Sequence, residues 1–230
     1  NHGALVARVK SMLRIKELHD TVVEQSTQLR VQLKAATKIQ SLFWPQAPEP
    51  DDACSIWAVS VPAVYVGGDL YDIIPLPDGS YLCYVADVSG KGVPAALIMA
   101  ALSTKFRTVA HLYHDINELL QKVNSTMYDL VFEEGFFATA ILTRYWPLTG
   151  RLQFIRAGHP YPVWVTGGDI RNIPVDKNLA LGITPDINFE TAEIILGEGD
   201  SMLFFTDGLT EAVNEDYELF GEDRLKEFIE

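Results

Sequence analysis

Between Ala4 and Phe43 the chain has neither proline nor glycine, and in the ten residues that follow, WPQAPEPDDA (Trp44 to Ala53), it has three prolines. The first stretch can run as one helix. The second can continue none, because each proline removes a backbone donor and clashes with the preceding turn. The chain therefore divides into a helical stalk, a Pro-rich boundary at residues 45–53, and a body over residues 54–230. Within the stalk Ile15, Leu18, Val22, Gln25, Leu29, Gln32, Ala36, Ile39 and Phe43 alternate steps of three and four, the seam of a heptad repeat. A stripe this narrow suits a facing helix better than a broad sheet. Residues 15–44 are therefore expected to form a coiled-coil linker that joins two copies of the chain as a homodimer; the simpler alternative packs the helix on the body. Gln25 and Gln32 would cost stability while restricting register.

In the body, SIWAVSVPAVYV (Ser55 to Val66) is rich in β-branched and aromatic residues, with Pro62 suggesting an edge or a bulge. DLYDIIPLPDGSYLCYVAD (Asp69 to Asp87) reads as a hairpin turning at Asp78-Gly79. Pro94 to Leu112 has apolar residues at helical spacing. Asp115 caps a second helix running to about Phe132, with Glu118 three positions on completing a capping-box pattern. Beyond Gly135 come five strand-like runs, FFATAILTRYW, RLQFIRA, YPVWV, FETAEIIL and SMLFFT, separated by turn signals. Strands, two helices, then more strands predict an α+β domain with mainly antiparallel sheet, since a parallel fold needs a helix after each strand. Glu222 to Glu230 begins a further helix.

Composition narrows the setting. Hydrophobic residues at 48% and charged residues at 21% fit a globular domain, and a formal net charge of −13 argues against a nucleic-acid partner, which wants a basic face. No apolar stretch approaches a membrane span and the N-terminus lacks a signal-peptide core, so no membrane association is expected. Cys54 and Cys83, each in an apolar strand-like run, read as free thiols in a reducing, cytoplasmic setting.

Three acidic residues share one local pattern. Asp69 follows Gly67-Gly68, Asp87 closes an apolar run before Gly90 and Gly92, and Asp207 follows MLFFT and precedes Gly208. In each case a buried strand delivers a carboxylate to its rim, with glycines keeping the neighbouring backbone bare. Carboxylates brought together raise one another's pKa unless a cation holds them ionised. Oxygen donors without a Cys or His cluster select Mg²⁺ or Mn²⁺, and two such ions about 3.5 to 4 Å apart can drive in-line displacement at phosphorus. Taken singly, each aspartate is equally a turn residue beside glycine.

VGGDLYD, ADVSGKGVPAAL, AGHPYPVWV and FFTDGLTEAVN, in that order, resemble the SpoIIE-type branch of the PPM family of metal-dependent serine/threonine protein phosphatases. The resemblance covers about Ala53 to Glu230. It implies a β-sandwich of two antiparallel sheets flanked by helices, with a binuclear Mn²⁺ or Mg²⁺ site at one end. It also implies a phosphoserine or phosphothreonine protein substrate, commonly an anti-anti-sigma factor of the STAS type. By that resemblance Asp87 bridges both metals, Asp69 binds one ion with the carbonyl oxygen of Val88, and Asp207 binds the other. A metal-activated water is the implied nucleophile.

Two positions depart from the family pattern. Ser89 stands where many relatives place a histidine that protonates the leaving oxygen, which leaves Lys91, His159 or a second metal-bound water as candidate acids; a core or turn role suits His159 equally. The family's last metal aspartate lies in an Asp-Asp-x-Thr motif beyond Glu230, and Asp223 falls too early to replace it. The body is therefore expected to be C-terminally incomplete, with a weaker second metal. ALVARVKSMLRIKELHD is similar to the last helix of a two-component receiver domain, covering residues 1–20. This implies the output domain of a response regulator, in which stalk geometry would reach the site through the helix at Pro94 to Leu112. Two other readings compete: a catalytically weak pseudo-phosphatase that binds a partner, and a diguanylate cyclase suggested by Gly67-Gly68-Asp69. Leu70 and Tyr71 do not continue the cyclase signature, and the second Gly-Gly-Asp at 167–169 shows that a turn alone generates the triplet.

Overall fold

The proline-free stretch forms helix α1 (His2–Gln40), which tightens into one 3-10 turn at Ser41–Phe43. The computed structural model describes residues 2–45, 48–49, 54–171, 173 and 178–229. Of the Pro-rich boundary, residues 46, 47 and 50–53 lie outside the described residues. Gln40 is the buried residue of α1. Ile15, Leu18, Val22, Leu29 and Ile39 all remain more than half exposed. Only the C-terminal end of the seam meets the body, where Ala36 is half-buried and Phe43 packs against the main core.

The body begins with an antiparallel hairpin, β1 (Asp69–Pro75) and β2 (Tyr81–Val88), followed by α2 (Gly92–Ala110) and α3 (Ile116–Val131). Six further strands follow: β3 (Ala138–Trp146), β4 (Arg151–Ala157), β5 (Val163–Thr166), β6 (Asp169–Arg171), β7 (Ala192–Ile195) and β8 (Ser201–Leu203). The short α4 (Asp207–Thr210) and α5 (Gly221–Ile229) come last. One antiparallel sheet has the order β1-β2-β3-β4-β7 and the other β6-β5-β8. The α+β sandwich expected from the sequence is what forms.

Local chemistry accounts for the elements. Gly79 takes φ 78° in the β1–β2 turn, and the Asp78 carboxylate accepts from both the backbone and the hydroxyl of Ser80, the turn geometry for which Asp-Gly is suited. Asp115 caps α3 by accepting from the backbone N–H groups of Asn117 and Glu118. Strand β6 was not anticipated as a separate element: the turn at Gly167-Gly168, both at positive φ, folds it back on β5. The Ser55 to Val66 stretch departs from expectation in the other direction. Its side chains alternate between half-buried and exposed, as in an extended chain, but it enters no ladder among the described residues. β-propensity produces a strand only where a partner supplies the hydrogen bonds.

Period-two burial sorts the layers. Leu82, Tyr84, Ala86 and Val88 of β2 face α2 and α3, where Met99, Phe106, Leu120 and Met127 complete the largest core and Phe106 stacks on Tyr84 at 4.0 Å. Leu152 and Phe154 of β4 point the other way, against Trp164, Met202 and Phe204 of the second sheet and the strand connecting it. Val163 and Phe205 then pack on Leu225 of α5. The succession is helices, sheet, sheet, helix. Truncating Phe154 to alanine would cost about 3–5 kcal/mol by leaving a cavity between the sheets. Helix α2 is long and apolar enough, by length and composition, to cross a membrane, which qualifies the expectation that no stretch approaches that length. Here Ala95, Met99, Leu102 and Phe106 of α2 are buried in the core instead.

Candidate metal centre

Asp69 and Asp87 stand directly opposite each other where β1 begins and β2 ends. Both project from the face of the large sheet that meets the small one, since Leu70 and Val88 beside them are buried on the helix side. The second sheet delivers the third aspartate. After β8 the chain crosses to this rim, the Thr206 hydroxyl donates to Asp69 Oδ2 at 3.1 Å, and Asp207 opens α4. All three anticipated aspartates therefore share one rim.

Their electrostatics reflect the crowding. Burial is the main cause that pushes Asp87 well above the ordinary carboxylate range, and the negative charges of Asp69 and Asp207, the contact with Asp69 and the charge of Glu211 add to it. Asp69 is raised as well, again chiefly by burial, with the Thr206 hydroxyl and the Asp87 carboxyl opposing and Asp207 adding. Burial and mutual repulsion thus favour the protonated form of the pair, and a divalent cation would favour the ionised one.

The backbone around the pair is built for clearance. A Cβ at Gly68 would lie 2.5 Å from the Val88 carbonyl oxygen and 3.2 Å from Asp87 Oδ1, and one at Gly208 would lie 3.7 Å from Asp69 Oδ2. Gly68 is thus obligatory, because the Val88 carbonyl and the Asp87 carboxylate both crowd it. Hard oxygen donors from Asp69, Asp87, Asp207 and Val88 suit Mg²⁺ or Mn²⁺. Among the described residues, no group of three or more His, Cys, Asp or Glu side chains is already drawn together in ligand geometry. The chemistry of the donor set nevertheless fits a hard divalent cation.

The candidate acids separate. Lys91 is exposed at the start of α2. His159 is 1% exposed, shares a hydrogen bond with Thr139 through Nδ1 at 2.9 Å, and is held down to about 4 by burial, with the Arg156 charge adding to the effect. An enclosed imidazole whose pKa is lowered by burial is a poor general acid at neutral pH, so the geometry favours the core role for His159. Ser89 is occupied locally, its backbone N–H donating to the Phe137 carbonyl and its hydroxyl accepting from the Phe137 N–H. Asp223 lies exposed in the first turn of α5.

Three participants were missed in the sequence. Thr206 and Glu211 both flank Asp207 in a motif already singled out, Glu211 one helical turn beyond it. Gln40 gave no such signal. Its side chain donates from Nε2 to the Gly67 carbonyl at 2.7 Å and accepts from the Gly67 N–H at 3.2 Å, two residues before Asp69. Thr37 adds a bond to the Tyr65 carbonyl. The stalk thus grips the loop that leads into the rim. It reaches α2 as well, because Arg107, paired with buried Asp72 at 2.5 Å, donates to the Phe43 carbonyl.

Comparison with known proteins bears on the family and the fold. The phosphoserine phosphatase RsbU of Bacillus subtilis is 26% identical over 86% of this chain and 58% of its own length. The crystal structure of the RsbU and RsbW domains of Rv1364c from Mycobacterium tuberculosis matches 74% of this chain and 47% of that one, at 28% identity and TM-score 0.63. The SiaA-PP2C domain of Pseudomonas aeruginosa matches 89% of this chain and 82% of its own, at 22% identity and TM-score 0.71, which shows the fold. The chain spans 58%, 35% and 45% of the curated relatives RsbU, IcfG and RsbP. The family description Stage II sporulation protein E (SpoIIE) matches residues 77–230, more than half of the chain. With the sandwich, the opposed aspartates and this match together, the chain belongs to the SpoIIE family.

Proposed function

We propose that this chain is the catalytic body and regulatory stalk of a metal-dependent phosphatase. Its substrate is phosphoserine or phosphothreonine on a protein such as a STAS-type anti-anti-sigma factor. The observation that carries the reading is the direct opposition of Asp69 and Asp87, with Asp207 brought to them from the other sheet. Asp87, Asp69, Asp207 and the Val88 carbonyl would hold two Mn²⁺ or Mg²⁺ ions. When bound, such ions supply an activated water and neutralise the phosphoryl oxygens. The residues of the chain do the rest. Thr206 fixes one oxygen of Asp69, and Gly68 and Gly208 leave the carboxylates accessible. Exposed Lys91, at the positive end of α2, is free to approach the phosphoryl group or its leaving oxygen.

The seam of α1 would pair two copies, and its resemblance to a receiver helix suggests a phosphorylation signal entering at that end. The Gln40 bonds to Gly67 support a direct path from stalk to rim, and the Arg107 bond to Phe43 supports a parallel path through α2. The test is hydrolysis of a phosphoserine peptide with and without Mn²⁺ and with a chelator. Turnover that needs the metal supports the reading; metal-independent or absent turnover removes it. One observation favours the partner-binding alternative, the lack of preassembled ligand geometry among the described residues. Under that reading a phosphoprotein would bind at the rim without being hydrolysed.

A further inference from the structure

Arg156 is buried, charged and half unpaired. It stands on β4 opposite Ile141, on the face toward the small sheet, and Ile141 lies two residues along β3 from Thr139, the cross-strand neighbour of Asp87. Only 5% of it is exposed. Its Nη1 donates to the His159 carbonyl at 2.7 Å, and the Tyr161 ring lies over its guanidinium at 4.0 Å. Among the described residues Nε and Nη2 have no hydrogen-bond partner, and no ion pair includes Arg156. The free atoms are not a random pair. In a planar guanidinium Nε–H and the neighbouring Nη2–H point the same way, forming the fork that fits two oxygens of a carboxylate or phosphate. Burying that edge unsatisfied is costly, and the ring contact offsets only part of the cost. The bond to His159 and the covering ring meanwhile fix its direction, so an arriving anion meets an oriented fork.

We propose that Arg156 forms an oxyanion subsite beside the aspartate rim, gripping a phosphate or carboxylate in bidentate fashion. Its meaning rests on the phosphatase reading: the anion is either the phosphate released by hydrolysis or an acidic side chain near the phosphorylated residue. Adjacent strands lie about 4.8 Å apart and Arg156 is set two residues along the strand from the level of Asp87, so the two positions are about 12 Å apart. An extended substrate covers that span in about three to four residues. An acidic residue roughly three to four positions from the phosphoserine would reach the fork.

The test uses the whole chain with its metal removed by a chelator, so that phosphate finds no cation at the aspartates and no turnover occurs. Inorganic phosphate, an acidic unphosphorylated peptide and a neutral peptide of equal length are titrated by calorimetry, while the Nε–H resonance of Arg156 is followed by NMR. Saturable binding of phosphate or of the acidic peptide, with movement of that resonance and no response to the neutral peptide, is the expected result. Phosphate alone points to the reaction product, and the acidic peptide alone to a substrate side chain. Arg156→Lys keeps the charge but loses the fork and should bind at least about tenfold more weakly, whereas Arg151→Lys, at the other end of β4 in an exposed ion pair with Glu193, should bind as the wild type does. No binding of either anion, or equal binding by Arg156→Lys, overturns the proposal. Should the lysine variant fail to fold, the wild-type resonance decides alone. Failure of the phosphatase reading appears in the hydrolysis assay and leaves this titration unaffected.

Discussion

The stalk and the rim solve opposite problems. Along α1 the described residues from 2 to 32 are all exposed, apolar seam included, and a helix of that kind draws most of its stability from a partner. At the rim every constraint is internal: strand register opposes Asp69 to Asp87, Gly68 fits because nothing larger can, and the second sheet brings Thr206 against Asp69. One region leaves its apolar seam uncovered and the other is already built, with its carboxylates crowded. They meet at Gln40, whose amide closes on Gly67. On the proposed reading a signal enters along the first and acts on the second.

The largest expected effect breaks the rim alone. Asp87→Asn removes the central carboxylate and should lower metal-dependent phosphoserine hydrolysis at least about a thousandfold, roughly 4 kcal/mol of transition-state stabilisation. Circular dichroism and dimerisation should be unchanged. Retention of most activity would remove Asp87 from the centre. Next comes the junction. Gln40→Leu deletes two hydrogen bonds, each worth about 1 kcal/mol, and leaves the Gly67 groups without their partner. Its signature should be a roughly tenfold higher Mn²⁺ requirement, with little change in maximal rate at saturating metal. A fall in maximal rate with an unaltered metal requirement would mean that the clamp does not act through Asp69.

The hairpin and its strand-end aspartates were legible, but their opposition was not. A two-residue Asp78-Gly79 turn would pair Pro77 with Ser80 and so Asp69 with Val88, whereas the observed register pairs Asp69 with Asp87. Asp207 was legible as a strand-end acid, but nothing local says which sheet it would join or that Thr206 would bind Asp69. Gln40 was invisible because a glutamine beside a heptad seam reads as solvated, and its partner lies 27 residues away. Ser55 to Val66 misled for the converse reason: its composition reports a fit to a sheet surface without reporting a ladder partner.

A smaller effect follows from pH. The folded-state pKa values of Asp69 and Asp87 are raised, so their contribution to stability is present below the unfolded aspartate pKa and lost as pH rises through the folded values. His159 acts in the opposite sense. Its pKa is depressed to about 4, so the stability it contributes is present above the unfolded histidine value and lost as pH falls toward that figure. Melting of the chelated protein should therefore show a mildly acidic optimum, with Tm falling by a few degrees toward alkaline pH. Asp87→Asn should flatten the alkaline side and leave the acid side in place. A wild-type melting curve that is flat between acid and alkaline pH would show that the pair is not strained.

The smallest effect on the body comes from the largest deletion. Removing residues 2–32 takes away a chain segment exposed throughout, so the Tm of the sandwich should move by less than about 2 °C. Leu33, Thr37 and Gln40 remain, together with the two bonds to Gly67 and the bond to Tyr65. What should change is mass in solution. Sedimentation should report a dimer for the whole chain, and a monomer for the deletion and for a double variant carrying Leu18→Asp and Val22→Asp in the seam. A dimer that survives both changes would move the interface to the body, and the stalk would then need another partner for its apolar face. A monomeric deletion whose Mn²⁺ requirement has also shifted would tie helix pairing to the grip of Gln40 on the rim, because residues 2–32 make no other approach to the aspartates.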